Sequence, residues 1–162
     1  MKKQYINFEL TVEEQEKIKE EKKHYKYPHA AIIEALKIVQ KKRKWISKNV
    51  IYAISEILNV PAVHIEEVAT FYSQIYLEPV GRNIIRYCDS VVCYVVGYKK
   101  ILTVLEKYLK IKSGETTSDN RFTLLPVCCL GCCDKAPSMM INDDTYFNIS
   151  DKNILSILES YS

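Results

Sequence analysis

All six cysteines of this 162-residue chain fall in its second half, as Cys88, Cys93, Cys128, Cys129, Cys132 and Cys133. Two groups of thiols that far apart in the chain make one site only if the fold carries both loops to the same place. The stretch Met1 to Thr11 lacks the apolar core of a signal peptide, so the expected compartment is the cytoplasm. There thiols stay reduced and serve metal or redox chemistry rather than disulfides.

The spacing narrows that chemistry. Cys88 and Cys93 form a C-x4-C pair, while Cys128-Cys129-Leu130-Gly131-Cys132-Cys133 contains two overlapping C-x3-C pairs, Cys128 with Cys132 and Cys129 with Cys133. Either pair completes a four-thiolate set with Cys88 and Cys93, and spacing does not choose between them. Structural zinc sites favour C-x2-C knuckles, so these gaps favour a 2Fe-2S cluster, which takes two thiolates per iron. A dithiol oxidoreductase would use C-x2-C, and Cys129 with Cys132 is the single example, inside the cluster segment rather than at a clean helix start. The two cysteines left over are expected to be buried small hydrophobes or spectators. Gly131 permits close approach of the backbone to a bound group. Asp89, Asp134 and Lys135 read as polar loop residues that could modulate a cluster or its docking.

The periodicity divides the chain into a helical front, residues 1–80, and an α/β back, residues 81–162, an α+β chain overall. Thr11-Val-Glu-Glu14 is a capping box opening a polar helix from Val12 to His24. Pro28 opens a second, with Ile32, Ala35, Leu36 and Val39 on one face. Ser47 caps a third with Ile51, Ile54 and Leu58, and Pro61 begins a fourth with Ile65, Val68, Ala69 and Tyr72 on its apolar side. In the back half, Asn83 to Tyr87 predicts a strand ending at Cys88. A helix from Tyr98 to Ile111, with Ile101, Leu102, Leu105 and Leu109 inward, and a strand from Arg121 to Val127 follow. Ser138 to Asn142 and Tyr146 to Ile149 predict a hairpin turning at Asp143-Asp144, and a closing helix runs from Asp151 to Tyr161, capped by Ser150 or Asp151. Strand, helix, strand and hairpin together suggest a thioredoxin-like layer.

Several function classes fall away. Gly81, Gly97, Gly114 and Gly131 are too dispersed for a phosphate-binding glycine loop, so the chain is not expected to bind a nucleotide in that way. No window approaches the roughly 18 apolar residues of a membrane span. Residues 1–48 carry 13 Lys and Arg against 7 Asp and Glu, but the run Lys41 to Lys44 ends a helix, where cations complement the dipole. No aromatic platform accompanies it, and Trp45 reads as a packing residue, so nucleic acid is not an expected partner. His24, His29 and His64 all lie in the helical half, away in sequence from the thiols that would need a base.

Tyr87-Cys-Asp-Ser-Val-Val-Cys93, Arg121-Phe-Thr-Leu-Leu-Pro-Val-Cys-Cys-Leu-Gly-Cys-Cys-Asp-Lys-Ala-Pro137 and Ser138-Met-Met-Ile141 closely resemble the E-subunit family of bacterial NADH-quinone oxidoreductase, respiratory complex I. His64-Ile-Glu-Glu-Val-Ala-Thr-Phe-Tyr72 resembles that family's helical segment. The resemblance runs from about Thr11 to the C-terminus. It implies a helical part followed by a thioredoxin-like ferredoxin domain with one 2Fe-2S cluster held by C-x4-C and by the C-x3-C of C-L-G-x-C. Here those residues are Cys88, Cys93, Cys129 and Cys133, with Cys128 and Cys132 as spectators; Cys132 departs from the family's usual small or polar residue.

The resemblance further implies a one-electron carrier docked on the flavin- and NADH-binding subunit, among other peripheral-arm subunits. The expected site is the cytoplasmic side of the inner membrane. Relatives in this family also serve NAD-linked hydrogenases and formate dehydrogenases, although the stretch from Leu124 to Gly131 looks most like the respiratory form. From the residues alone, a colourless zinc-stabilised interaction module is the competing class, with the dithiol oxidoreductase a third.

Overall fold

The computed structural model describes residues 10–161. The chain divides into two compact units, one ending at Pro79 and the other beginning at Val80. Among the described residues no helix is long and apolar enough to cross a membrane.

The first unit is helical: α1 (Val12–Lys23), a 3-10 turn (Pro28–Ala31), α2 (Ile32–Arg43), α3 (Lys48–Leu58) and α4 (Ala62–Phe71). The capping box is formed at both ends, with the Glu14 N–H donating to Thr11 Oγ1 at 3.3 Å and the Thr11 N–H to Glu14 Oε2 at 2.8 Å. Ser47 caps α3 by accepting the Val50 N–H at 3.3 Å. Ile18, Leu36, Val39, Ile54, Leu58 and Ile65 are buried together in this unit's core, so the helices are held by their apolar stripes rather than by propensity. Pro28 opens a 3-10 turn before α2 takes over at Ile32. Tyr72 does not join the apolar side of α4, because the backbone turns extended at that residue and leaves the ring exposed.

The basic run is partly internal to this unit. Lys42 reaches Glu13 at 3.2 Å, and Arg43 grips Glu14 with two hydrogen bonds, from Nε at 2.8 Å and from Nη2 at 2.6 Å. Glu14 is buried at 2% exposure, and the Arg43 guanidinium holds its carboxyl at about 2 against the desolvation that opposes it. Trp45 is half-buried. His64 lies on the surface of α4, its Nδ1 3.0 Å from Glu67 and its ring edge-on to His29.

The second unit contains β1 (Asn83–Cys88), α5 (Val91–Val96), α6 (Tyr98–Leu109), β2 (Phe122–Val127), β3 (Met139–Ile141), β4 (Asp144–Tyr146) and α7 (Ile154–Glu159). The strands form one mixed sheet in the order β2-β1-β3-β4, with β1 parallel to β2 and antiparallel to β3. β1 is therefore central, and it is buried along nearly its whole length, as suits a strand covered on both faces. Ile85, Leu105, Phe122, Leu124, Ile141 and Leu158 build its core.

Three elements depart from the sequence expectation. The segment after Cys88 is not all loop: α5 forms across it, and Cys93 sits on that helix rather than in a loop. Gly97, at φ 106°, ends α5 and lets α6 begin at the next residue, a left-handed conformation that an L side chain resists. The hairpin turns at Asn142-Asp143, one residue earlier than expected, so β4 starts at Asp144. Asn142 takes φ 53°, tolerable for its short amide, and its side chain extends the ladder by accepting the Ile84 N–H at 3.0 Å. The closing helix is shorter at both ends. The Asn153 side chain accepts the Ser150 N–H at 2.8 Å and holds residues 151–153 as turn, and the Arg121 guanidinium caps the Leu158 and Tyr161 carbonyls.

Candidate metal centre

Parallel pairing brings the two cysteine groups together. In the β1–β2 register Cys88 stands opposite Val127, so the residue ending β1 and the Cys128 that follows β2 emerge at the same end of the sheet. The Asp89 N–H donates to Val127 O at 3.1 Å and carries the ladder one step past Cys88. The first loop then folds into α5, which places Cys93 in the helix's first turn. Cys88 and Cys93 are buried, whereas Cys128, Cys129 and Cys133 are exposed and Cys132 is half-buried. The leftover pair, Cys128 and Cys132, is thus not buried as small hydrophobes.

The thiols associate two by two. Cys129 Sγ lies 3.2 Å from Cys133 Sγ, while Cys132 Sγ turns away to the Leu130 carbonyl at 3.5 Å. Cys88 and Cys93 make the other pair, each shifting the other's ionisation. Backbone geometry supports the second pair. Gly131 adopts φ 80°, and its N–H donates to Cys129 Sγ at 3.4 Å. A Cβ at Gly131 would meet no neighbour, so the glycine answers a conformational need rather than a lack of room.

Within each pair one thiol ionises more readily than the other. Burial pushes Cys88 up, but the Ser90 N–H, the Cys93 thiol, the Leu130 N–H and the Ser90 hydroxyl together leave it below the usual thiol range. Burial raises Cys93, aided by Cys88. The Gly131 N–H and the Cys133 thiol lower Cys129, and Cys133 is raised by Cys129, by burial and by the surrounding thiols. Each loop bears on a thiol of the other, the Leu130 N–H lowering Cys88 and the Ser90 hydroxyl lowering Cys129.

A tetrahedral zinc site needs four donors around one ion, whereas a 2Fe-2S group needs two donors on each of two irons. Paired thiols at one sheet end, with the Gly131 N–H directed at Cys129 Sγ, suit the second chemistry. The order of strands is enough to bring the two cysteine groups to one sheet end. The donors at Gly131 and Ser138 are not legible in the spacing, because those contacts depend on the path of the loops.

The profile of the family described as Thioredoxin-like [2Fe-2S] ferredoxin matches residues 18–162. The chain is 63% identical over 156 residues to the E subunit of NADH-quinone oxidoreductase from Buchnera aphidicola subsp. Acyrthosiphon pisum, an alignment covering 96% of each chain. It is 58% identical over 154 residues to the E subunit from Salmonella typhimurium, covering 95% of this chain and 93% of that one. With the E subunit from Escherichia coli the identity is 56% over the same coverage. Among solved structures, the fold is similar to a chain of an NAD+-reducing [NiFe]-hydrogenase in the H2-reduced state, with TM-score 0.70 and 23% identity over 80% of this chain. This chain spans 22% of that hydrogenase chain, and the likeness is one of fold. The helical region, the mixed sheet, the paired thiols and these near full-length identities agree: the chain belongs to the thioredoxin-like [2Fe-2S] ferredoxin family, among the E subunits of NADH-quinone oxidoreductase.

Proposed function

We propose that Cys88, Cys93, Cys129 and Cys133 hold one 2Fe-2S cluster, and that the chain passes single electrons to and from the flavin of an NADH-oxidising partner subunit. The observation that carries this reading is the association of Cys129 with Cys133, at 3.2 Å, at the sheet end where β1 delivers Cys88 and α5 carries Cys93. When bound, the cluster supplies a one-electron store at the sheet end.

The chain's own residues do the rest. Cys88 and Cys93 hold the buried side, and their burial keeps water from one face of the group. Cys129 and Cys133 hold the exposed side and leave it open to a partner. The N–H groups of Ser90, Leu130 and Gly131 offset negative charge on the sulfurs, which eases reduction. Beside Cys93, α5 presents Val91, Tyr94, Val95 and Val96 to solvent, an apolar surface suited to a protein contact. The flavin- and NADH-binding subunit and other peripheral-arm subunits are the partners we assign, on the cytoplasmic side of the inner membrane.

The test is the absorption spectrum of the anaerobically purified chain, with iron, zinc and acid-labile sulfide measured on the same sample. A red-brown protein with about two irons and two sulfides per chain is expected. Reduction by NADH should then require the flavin-bearing partner. A colourless protein holding zinc, or a coloured one that the partner cannot reduce, would overturn the reading.

A further inference from the structure

Ser138 lies between the second cysteine loop and β3, and it touches both Cys88 at the end of β1 and Cys93 on α5. Its carbonyl accepts the Cys88 N–H at 3.1 Å. Its hydroxyl stands 3.9 Å from Cys93 Sγ, and both residues are buried, at 4% and 1% exposure. Among the described residues the Cys93 sulfur is the partner of that hydroxyl. A hydroxyl placed in such a site without an acceptor would cost free energy, so its presence needs a partner. The backbone arrangement fixes its aim, because the Cys88–Ser138 hydrogen bond sits beside the β1–β3 pairing of Tyr87 with Met139.

A thiol beside a hydroxyl can donate or accept, but a thiolate carries no proton and can only accept. We propose that Ser138 is a positioning residue of the metal centre, whose hydroxyl donates to the Cys93 thiolate and makes the bound group easier to reduce. The inference rests on the ligand reading above and deepens it by naming a residue outside the four thiols. Reduction adds one electron's charge to the group and its sulfurs, and a donor already aimed at Cys93 stabilises that added charge. The Cys88 N–H on the Ser138 carbonyl fixes the seryl unit beside Cys93. Burial strengthens the effect, since no bulk water competes for the sulfur.

The test compares Ser138→Thr with Ser138→Val in the full chain. The two side chains have nearly the same shape, and only threonine keeps the hydroxyl. Each variant is reduced stepwise at controlled potential, and the fraction of reduced cluster is followed by absorption and electron paramagnetic resonance. The threonine variant should keep the parent midpoint. The valine variant should show a roughly threefold lower ratio of reduced to oxidised cluster at the parent midpoint, a shift of about 30 mV to more negative potential for one electron. Ser138→Ala removes the hydroxyl without adding volume and is expected to shift in the same direction, which keeps the test available if valine crowds the site. Unchanged midpoints in the cluster-bearing alanine and valine variants would overturn the proposal, as would equal shifts for threonine and valine. A parent chain that binds neither iron nor sulfide would instead overturn the ligand reading, and that result is seen before any variant is compared.

Discussion

Cys129 Sγ lies 3.2 Å from Cys133 Sγ, while the intervening Cys132 directs its sulfur to the Leu130 carbonyl. Two overlapping C-x3-C pairs are present in this loop, and the backbone around Gly131 orients one of them as a pair of neighbouring donors. The loop's conformation separates thiols that residue spacing treats alike.

Serine substitution should expose that difference. Cys88→Ser, Cys93→Ser, Cys129→Ser and Cys133→Ser are each expected to abolish or strongly reduce cluster absorbance and iron content. Cys128→Ser and Cys132→Ser should leave both close to the parent level. Loss of the cluster in Cys132→Ser with retention in Cys133→Ser would assign the other pair.

Gly131→Ala tests the loop backbone. At φ 80° an alanine costs about 1–2 kcal/mol relative to glycine, although no neighbour obstructs its methyl. The expected result is lower cluster occupancy after reconstitution with little change in global unfolding, because the strain falls on an exposed loop. Iron content and thermal unfolding of the same preparation measure the two effects.

Glu14 and Arg43 tie α1 to the end of α2, and removing the Glu14 carboxylate takes two hydrogen bonds from a half-buried guanidinium. Glu14→Ala should destabilise the helical unit by about 2–3 kcal/mol, toward the low side for a broken buried pair because the Arg43 side chain keeps 20% exposure. The capping box is lost in the same variant. Denaturant unfolding followed by helical circular dichroism gives the magnitude.

The same pair sets an acid limit. The Glu14 carboxyl is held at about 2 in the folded chain, below its ordinary value of 4.5. A depressed carboxylate contributes its full stability above pH 4.5 and loses it as pH falls through about 2. Stability measured between those pH values should therefore fall less steeply in Glu14→Gln than in the parent.

The exposed apolar side of α5 predicts a contact. Val95 is 78% exposed, so Val95→Asp should leave the fold and the cluster spectrum unchanged. Its expected effect is weaker co-purification with the flavin-bearing partner and slower reduction by NADH in the assembled pair. Full assembly of that variant would place the contact elsewhere.

The periodic and capped elements were legible in the sequence alone. The Thr11–Glu14 box, the Ser47 cap, the apolar faces of α2 and α3 and the strands around Ile85 and Leu124 all follow from local rules acting within a few residues. So did the convergence of the cysteine groups, because a strand, helix, strand order delivers both loops to one sheet end. Tertiary structure decided what depends on distant partners. Asn142 turns the hairpin one residue early because its side chain finds Ile84, and Asn153 shortens the closing helix at its start by holding Ser150. Cys93 lies on α5 because Gly97 stops that short helix in a left-handed residue and lets α6 follow. Ser138 reaches Cys93 because β3 pairs with β1, a contact between residues far apart in the chain, and spacing along the chain carries no record of such an approach.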